Sequence, residues 1–405
     1  MAATALNPLH RLWRGLPQGP RRRMLNNAAV WLAPRPDRPP PAARLGIAVA
    51  GELDRASGLG EGARLFLRGL EALGVPHWEA GAGRPLPPPG VPLVVHGNPA
   101  AMPLEMLRLG RKLVHGRRVI GFWPWELPVV PESWRAGFAY VHEVWAPSRF
   151  SATAIEAAMP DGFATRLVRV VPHPLACQPP APSALDRAAL GLPADAVITL
   201  VVFNMASSFE RKNPLAAIAA HRAAFGGRPD RMLLVRVGNP SHFPDDFARL
   251  QCAAADLPNV RLDTGILPRD DAHAVMAACD IVLSLHRSEG FGLVPAEAML
   301  LEKPVVATAW SATDEYLDAR CAAPVPVRLV PAHDPRGVFE APGAVWAEPD
   351  VAAAAAALTR LAGDPAERRR LGAAARQVAL TRFGPSGLAA AVLGLGLPVP
   401  GFAVP

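Results

Sequence analysis

Apolar runs of five to seven residues, each followed by a longer stretch with helical spacing, recur along the chain. In the first half they are LGIAVA (45–50), PLVVH (92–96), RVIGFW (118–123), EVWAP (143–147) and LVRVV (167–171). The Pro-rich segment QPPAPSA (178–184) interrupts the series. It then resumes with VITLVVF (197–203), MLLVRV (232–237), VRLDTG (260–265), DIVLSL (280–285) and PVVAT (304–308). Strands that are apolar throughout, rather than alternating, are buried on both faces, as in parallel sheets covered by helices. The pattern predicts an α/β protein of two Rossmann-like parallel-sheet domains in tandem. Ligands in such folds sit at the carboxyl ends of the strands, so a cleft between the lobes is the expected site. The further Pro-rich runs at 34–44 and 85–92 read as linker and loop. The division expected is an arm and linker at 1–43, a first domain at 44–180, a second at 181–382, and a C-terminal helix and tail at 383–405 that packs back on the first lobe.

Composition narrows the class. A chain of 405 residues exceeds one ordinary core. No apolar stretch approaches the roughly 18 residues of a membrane-spanning helix. The N-terminus has no sustained apolar segment of the secretory kind, so a soluble cytoplasmic protein is expected. The 42 Lys and Arg against 35 Asp and Glu give a net charge of +7, which suits phosphorylated substrates or an anionic membrane surface. The arginines are dispersed and no RNA-module signature is present, so nucleic acid is not an expected partner. Arg21, Arg22 and Arg23, beside Trp13 and Met24, are the candidate for peripheral contact with anionic lipid, ranked behind a solvated arm. Cys177, Cys252, Cys279 and Cys321 are far apart and read as small buried hydrophobes, without a disulfide or a metal.

The stretch RSEGFGLVPAE (287–297) reads as the exit from a strand, a glycine loop and the start of a helix. Pro295 suits a first helical position, where its missing N–H costs nothing. Free amides and partial positive charge at a helix start, with Gly290 and Gly292 allowing close approach, make an anion site. Glu297, expected in the first helical turn, can accept two hydrogen bonds from a vicinal diol such as a ribose. Glu289, before the loop, can face a sugar attached beyond the phosphates. The plainer alternative is a helix cap with an acidic first turn, which a lone Gly-x-Gly would favour; the second glutamate and the preceding strand shift the balance. A rival glycine loop at 52–70 carries Gly58, Gly60 and Ala63, with Glu79 near the end of a second strand. It fits a dehydrogenase poorly, because seven residues separate it from Ala50 and a dinucleotide fingerprint begins at the strand end.

SEGFGLVPAEAM (288–299), with ERKNP (210–214) before a helix, GIL (265–267) after a strand and KPVVATAWSATDEY (303–316), closely resembles the nucleotide-sugar motifs of family-4-type retaining glycosyltransferases of the GT-B fold (glycosyl transferases group 1). The resemblance implies that Glu297 binds the ribose, and that the amides of Gly290, Phe291, Gly292 and Leu293 meet the phosphates and donor sugar. It further implies that Glu289 contacts donor-sugar hydroxyls, Lys212 neutralises the diphosphate, and Gly265, Ile266 and Leu267 line the base. Such enzymes use a UDP- or GDP-linked sugar and a glycan or lipid-linked acceptor in polysaccharide or glycoconjugate synthesis, without metal or cofactor, and keep the anomeric configuration. This chain departs from the pattern twice. NMASS (204–208) stands where an arginine is usual, leaving Arg211 or the hydroxyls of Ser207 and Ser208 as substitutes. FWPWE (122–126) stands where a histidine is usual, with His115 and His142 outside the motif. Glu126 is therefore the acceptor-side candidate together with Gly58 and Gly60, and its rival reading is a structural loop with buried tryptophans. The alternatives are a nucleotide-sugar epimerase on the same scaffold and a non-catalytic nucleotide-sugar binding protein.

Overall fold

The computed structural model describes residues 29–403, except 56 and 164–167; Arg21–Arg23 lie outside that range. The first lobe holds a six-stranded, all-parallel sheet in the order β2-β1-β3-β4-β5-β6. Its strands are β1 Ile47–Ala50, β2 His77–Glu79, β3 Leu93–His96, β4 Val119–Phe122, β5 Glu143–Ala146 and β6 Arg169–Val170. The second lobe holds another, in the order β12-β11-β10-β7-β8-β9, also parallel. Its strands are β7 Val197–Asn204, β8 Arg231–Gly238, β9 Val260–Asp263, β10 Ile281–Ser284, β11 Val305–Thr308 and β12 Ala323–Val325. An antiparallel hairpin, β13 Val327–Pro331 and β14 Val345–Pro349, follows.

The apolar runs form strands for the reason their composition gives. In the first lobe Ala48, Ala50, Leu93 and Val95 pack into one core, while Ile47, Val49 and Val94 pack into another. Successive residues thus feed opposite faces, and both faces are covered. The second lobe repeats the arrangement, with Val201, Phe203, Val235 and Leu283 on one face and Leu200, Leu234, Val282 and Val305 on the other. The Pro-rich runs at 34–44, 85–92 and 178–184 contain neither helix nor strand. Of the cysteines, Cys279 and Cys321 are buried, but Cys252 is exposed on its helix, a correction to the uniform reading as core.

Two apolar bridges hold the lobes together. Leu65 and Leu175 share a core with Phe291, Tyr316 and Phe383 of the second lobe. Trp125, Leu127 and Trp134 pack with Phe339, Ala344 and Trp346, which the β13–β14 hairpin and its loop supply. Trp125 and Phe339 stack at 5.6 Å. Each fully buried large side chain contributes about 1.5–3 kcal/mol, so this contact fixes how the lobes face each other. Past the helix Pro365–Arg382 the chain crosses back, and the helix Ser386–Leu393 places Leu388, Ala391 and Val392 in a core with Ile47, Phe66 and Leu70.

Candidate active site

The glycine loop leaves β10 and passes directly under the first lobe. A Cβ on Gly290 would lie 3.0 Å from the Trp125 carbonyl oxygen and 3.2 Å from its nitrogen. The Gly290 carbonyl accepts hydrogen bonds from Ser148 Oγ at 2.7 Å and Ser151 Oγ at 3.3 Å. Gly292 has a φ of +88°, and a Cβ there would come within 2.6 Å of Tyr316 Oη. That hydroxyl donates to the carbonyls of Phe291 and Gly292. The Glu289 amide donates to Ser311 Oγ and its carbonyl accepts from the Ala312 amide.

All four carbonyls from Glu289 to Gly292 are therefore occupied, whereas the amides on the other side of this backbone are not. Among the described residues, the N–H groups of Gly290, Phe291, Gly292, Leu293 and Val294 donate to nothing. Gly290, Phe291 and Gly292 are buried. Unpaired buried amides are rare in folded proteins and mark places where a ligand supplies the acceptor. The helix spans Leu293–Leu300, a correction to the expected opening at Pro295. Proline is tolerated at the third position because the first four amides of a helix lack internal acceptors anyway. The same shift moves Glu297 beyond the first turn, where its carboxylate lies 3.8 Å from His273 Nε2.

Beside the loop, ERKNP makes one short helix, Phe209–Lys212. Asn213 ends it in the left-handed conformation (φ 50°, ψ 50°), and Pro214 opens the next helix; asparagine tolerates that conformation better than most residues. The break leaves Arg211 and Lys212 facing the cleft. Lys212 Nζ donates to Glu289 Oε1. Arg211 is almost fully buried: it donates to the Ser288 carbonyl at 2.8 Å, pairs with Glu289 Oε2 at 3.2 Å and with Glu126 Oε1 at 3.5 Å, and lies over the Phe339 ring. Glu126 comes from the first lobe, so this four-membered charge cluster spans both lobes.

Burial works against the Glu289 carboxylate, but Lys212 and Arg211 overcome it and hold the group at about 2. Burial pulls the Lys212 ammonium below its ordinary value, with Glu289 resisting. Burial also lifts the Glu126 carboxyl, despite Arg211. His286, next to the loop, is held by burial at about 4 and donates or accepts at Thr313 Oγ1.

The other candidate residues fall as follows. Ser208 caps the 209–212 helix and donates to Asp334 Oδ1, so its hydroxyl is engaged inside the second lobe; Ser207 ends the turn before it. Gly265 is exposed and its amide donates to Asp263, Ile266 is 96% exposed, and Leu267 packs partly against the second-lobe core. Gly58 opens the helix Gly58–Ala72. Gly60 is pressed against the carbonyls of Glu52 and Arg55, so its lack of a side chain lets the preceding loop fold onto the helix start. Ser148, Ser151, Asp334 and Phe339 complete the surroundings but escaped the sequence reading, because their partners lie in the other lobe or far along the chain. Tyr316 lay within a quoted motif without a role.

Residues 202–364 match the family model described as Glycosyl transferases group 1. Over 211 residues the chain is 32% identical to the D-inositol 3-phosphate glycosyltransferase of Kineococcus radiotolerans, a match covering 50% of this chain and 44% of that protein. The match thus spans less than half the length of that relative. Among solved structures, Anabaena HepE in complex with UDP and glucose superposes with a TM-score of 0.60 at 16% identity, over 86% of this chain and 98% of that one. Sucrose-phosphate synthase from Thermosynechococcus elongatus gives 0.60 at 19%, over 87% and 98%. Two facing parallel-sheet lobes with this strand order make the fold that of the GT-B glycosyltransferases. The resemblance to glycosyl transferases group 1 is borne out by sequence over residues 202–364, and the expected GT-B fold by structure over most of the chain.

Proposed function

We propose that the protein is a glycosyltransferase that moves a sugar from a UDP- or GDP-linked donor to a glycan or lipid-linked acceptor, with retention of anomeric configuration. The observation that carries this reading is the row of five unpartnered amides from Gly290 to Val294, with the Lys212 ammonium close by at Glu289. As the glycosidic bond to the donor breaks, negative charge develops on the departing phosphate. Preorganised amides and one cation are the groups that stabilise such charge best. In this reading Lys212 turns part of its charge from Glu289 to the diphosphate, and the carboxylate so released accepts donor-sugar hydroxyls. Glu297 takes the ribose diol. Glu126, held above its ordinary pKa across the cleft, faces the incoming acceptor hydroxyl. Arg211 braces both glutamates. No metal or cofactor is assigned, since amides and Lys212 supply the charge stabilisation. The neighbour that holds UDP and glucose supports a nucleotide-sugar donor, and the relative named D-inositol 3-phosphate glycosyltransferase supports glycosyl transfer. The family-4 subdivision, and a cytoplasmic place with peripheral membrane contact, are part of the same proposal.

A thermal-shift panel of UDP, GDP, ADP and their sugars, followed by turnover assays, tests it, because a ligand that binds only the native state raises its stability. One nucleotide series should stabilise the protein, and Lys212→Ala and Glu297→Ala should each abolish donor turnover without loss of fold. Interconversion of donors with no acceptor present would mark an epimerase instead. Binding without any turnover would mark a nucleotide-sugar binding protein.

A further inference from the structure

His273 has no part in the chemistry above, yet the fold sets it against Glu297. It lies in the second turn of the helix Arg269–Ala278, which begins shortly after Leu267, the end of the segment expected to line the base. Glu297 lies on the helix Leu293–Leu300, whose start carries the free amides. Val275 and Met276 of the first helix share a core with Ala296 and Met299 of the second, which fixes the two helices to each other. A ribose joins a base to a diphosphate, so it belongs where these two segments converge. There His273 Nε2 stands 3.8 Å from Glu297 Oε1.

Neither group is otherwise engaged. His273 is 3% exposed, and its Nδ1 is buried without a hydrogen-bond partner. The Glu297 carboxylate accepts no hydrogen bond among the described residues. Buried polar side-chain atoms nearly always find a partner, so an imidazole with neither nitrogen hydrogen-bonded calls for a reason. A neutral imidazole carries one N–H. Carried on Nε2, that proton faces Glu297. The contact is longer than a hydrogen bond, and hydrogen bonds within sites often tighten only when the ligand is in place. A carboxylate held at one oxygen by an N–H cannot turn freely about its last bond, and it keeps lone pairs enough for both hydroxyls of a vicinal diol.

We propose that His273 is a positioning residue for ribose recognition, holding the Glu297 carboxylate so that both diol hydroxyls reach it; this rests on the donor reading above. Calorimetry on the full chain measures the affinity of UDP and of GDP, then of the 2′,3′-dideoxy form of whichever binds. Wild type should prefer the ribose form by about tenfold or more, since hydrogen bonds to a charged group are lost without the diol. His273→Leu keeps the bulk but has no N–H. It should bind the ribose form about tenfold more weakly and the dideoxy form within about twofold of wild type, so that the preference nearly disappears. His273→Asn, too short to reach Glu297, should do the same. His273→Gln, whose amide reaches the place of Nε2, should bring the preference back to within about threefold of wild type. Thermal melts check folding, and the Asn and Gln pair decides if the Leu variant does not fold. Equal weakening of both ligand forms would make His273 a plain core residue. That result, an intact preference in the Leu or Asn variant, or no recovery in the Gln variant would overturn the assignment while leaving the donor reading in place. If wild type binds neither nucleotide, the transferase reading falls; if it binds one but ignores loss of the diol, Glu297 is not the ribose ligand and His273 loses its role with it.

Discussion

At the scale of single residues the site is an ion cluster whose members are unequal. Glu289 neutralises Lys212 and Arg211 at once, and both cations are largely removed from water. Glu289→Gln should therefore destabilise the fold by about 3–5 kcal/mol, the usual cost of breaking a buried pair from one side, and donor turnover should fall at least a hundredfold, of the order seen when transition-state electrostatics are lost. Urea unfolding and a donor-consumption assay check this; wild-type values in both would remove Glu289 from the centre of the account. Glu289 and the glycines could be picked out because they lie in one short motif whose chemistry can be read locally, whereas Lys212 was picked out through the family resemblance of ERKNP. The pairing of Arg211 with Glu126 was not. It joins residues of different lobes, and no spacing along the chain encodes that approach.

Elements carry the next level. The loop is fixed through its carbonyls, which frees its amides, and Gly290 is where it meets the first lobe. Gly290→Ala would place a methyl group 3.0 Å from the Trp125 carbonyl oxygen, so the lobes must part. We expect about 1–3 kcal/mol of lost stability together with a raised KM for donor. Full activity in that variant would mean the two lobes do not close on the loop. Phe339→Ala tests the hairpin in the same way, with a cost of about 3–5 kcal/mol in a melt, since its ring packs on Trp125 and lies under Arg211. Ten of the twelve sheet strands coincide with the apolar runs read from the sequence. Of the twelve, β2 and β12 fall outside the apolar runs because each has only three residues. β13, VRLVP, is interrupted by Arg328 and ends in proline; it likewise gives no run long enough to stand out, so the hairpin that delivers Phe339 was invisible.

For the whole molecule, folding buries His173 where the two lobes meet and His286 within the second lobe. His173 packs against Phe122 of the first lobe and Phe291 of the second, and burial holds both His173 and His286 at about 4, below the ordinary 6.5. The unfolded chain takes up protons at these positions as pH falls below 6.5, and the folded chain does not. Their contribution to stability is thus complete above about 6.5 and is lost toward 4. Glu289 extends the loss, its contribution vanishing as pH drops from its ordinary value through about 2. Melts should show Tm lower by roughly 10 °C or more at pH 4.5 than at pH 7; a flat profile would contradict neutral, buried histidines. The measurement that bears most directly on the account is a crystal structure with UDP or GDP bound. The diphosphate should sit within hydrogen-bonding distance of the amides of Gly290 to Val294, with Lys212 drawn from Glu289 toward it. A nucleotide seated anywhere else would contradict the account at its root.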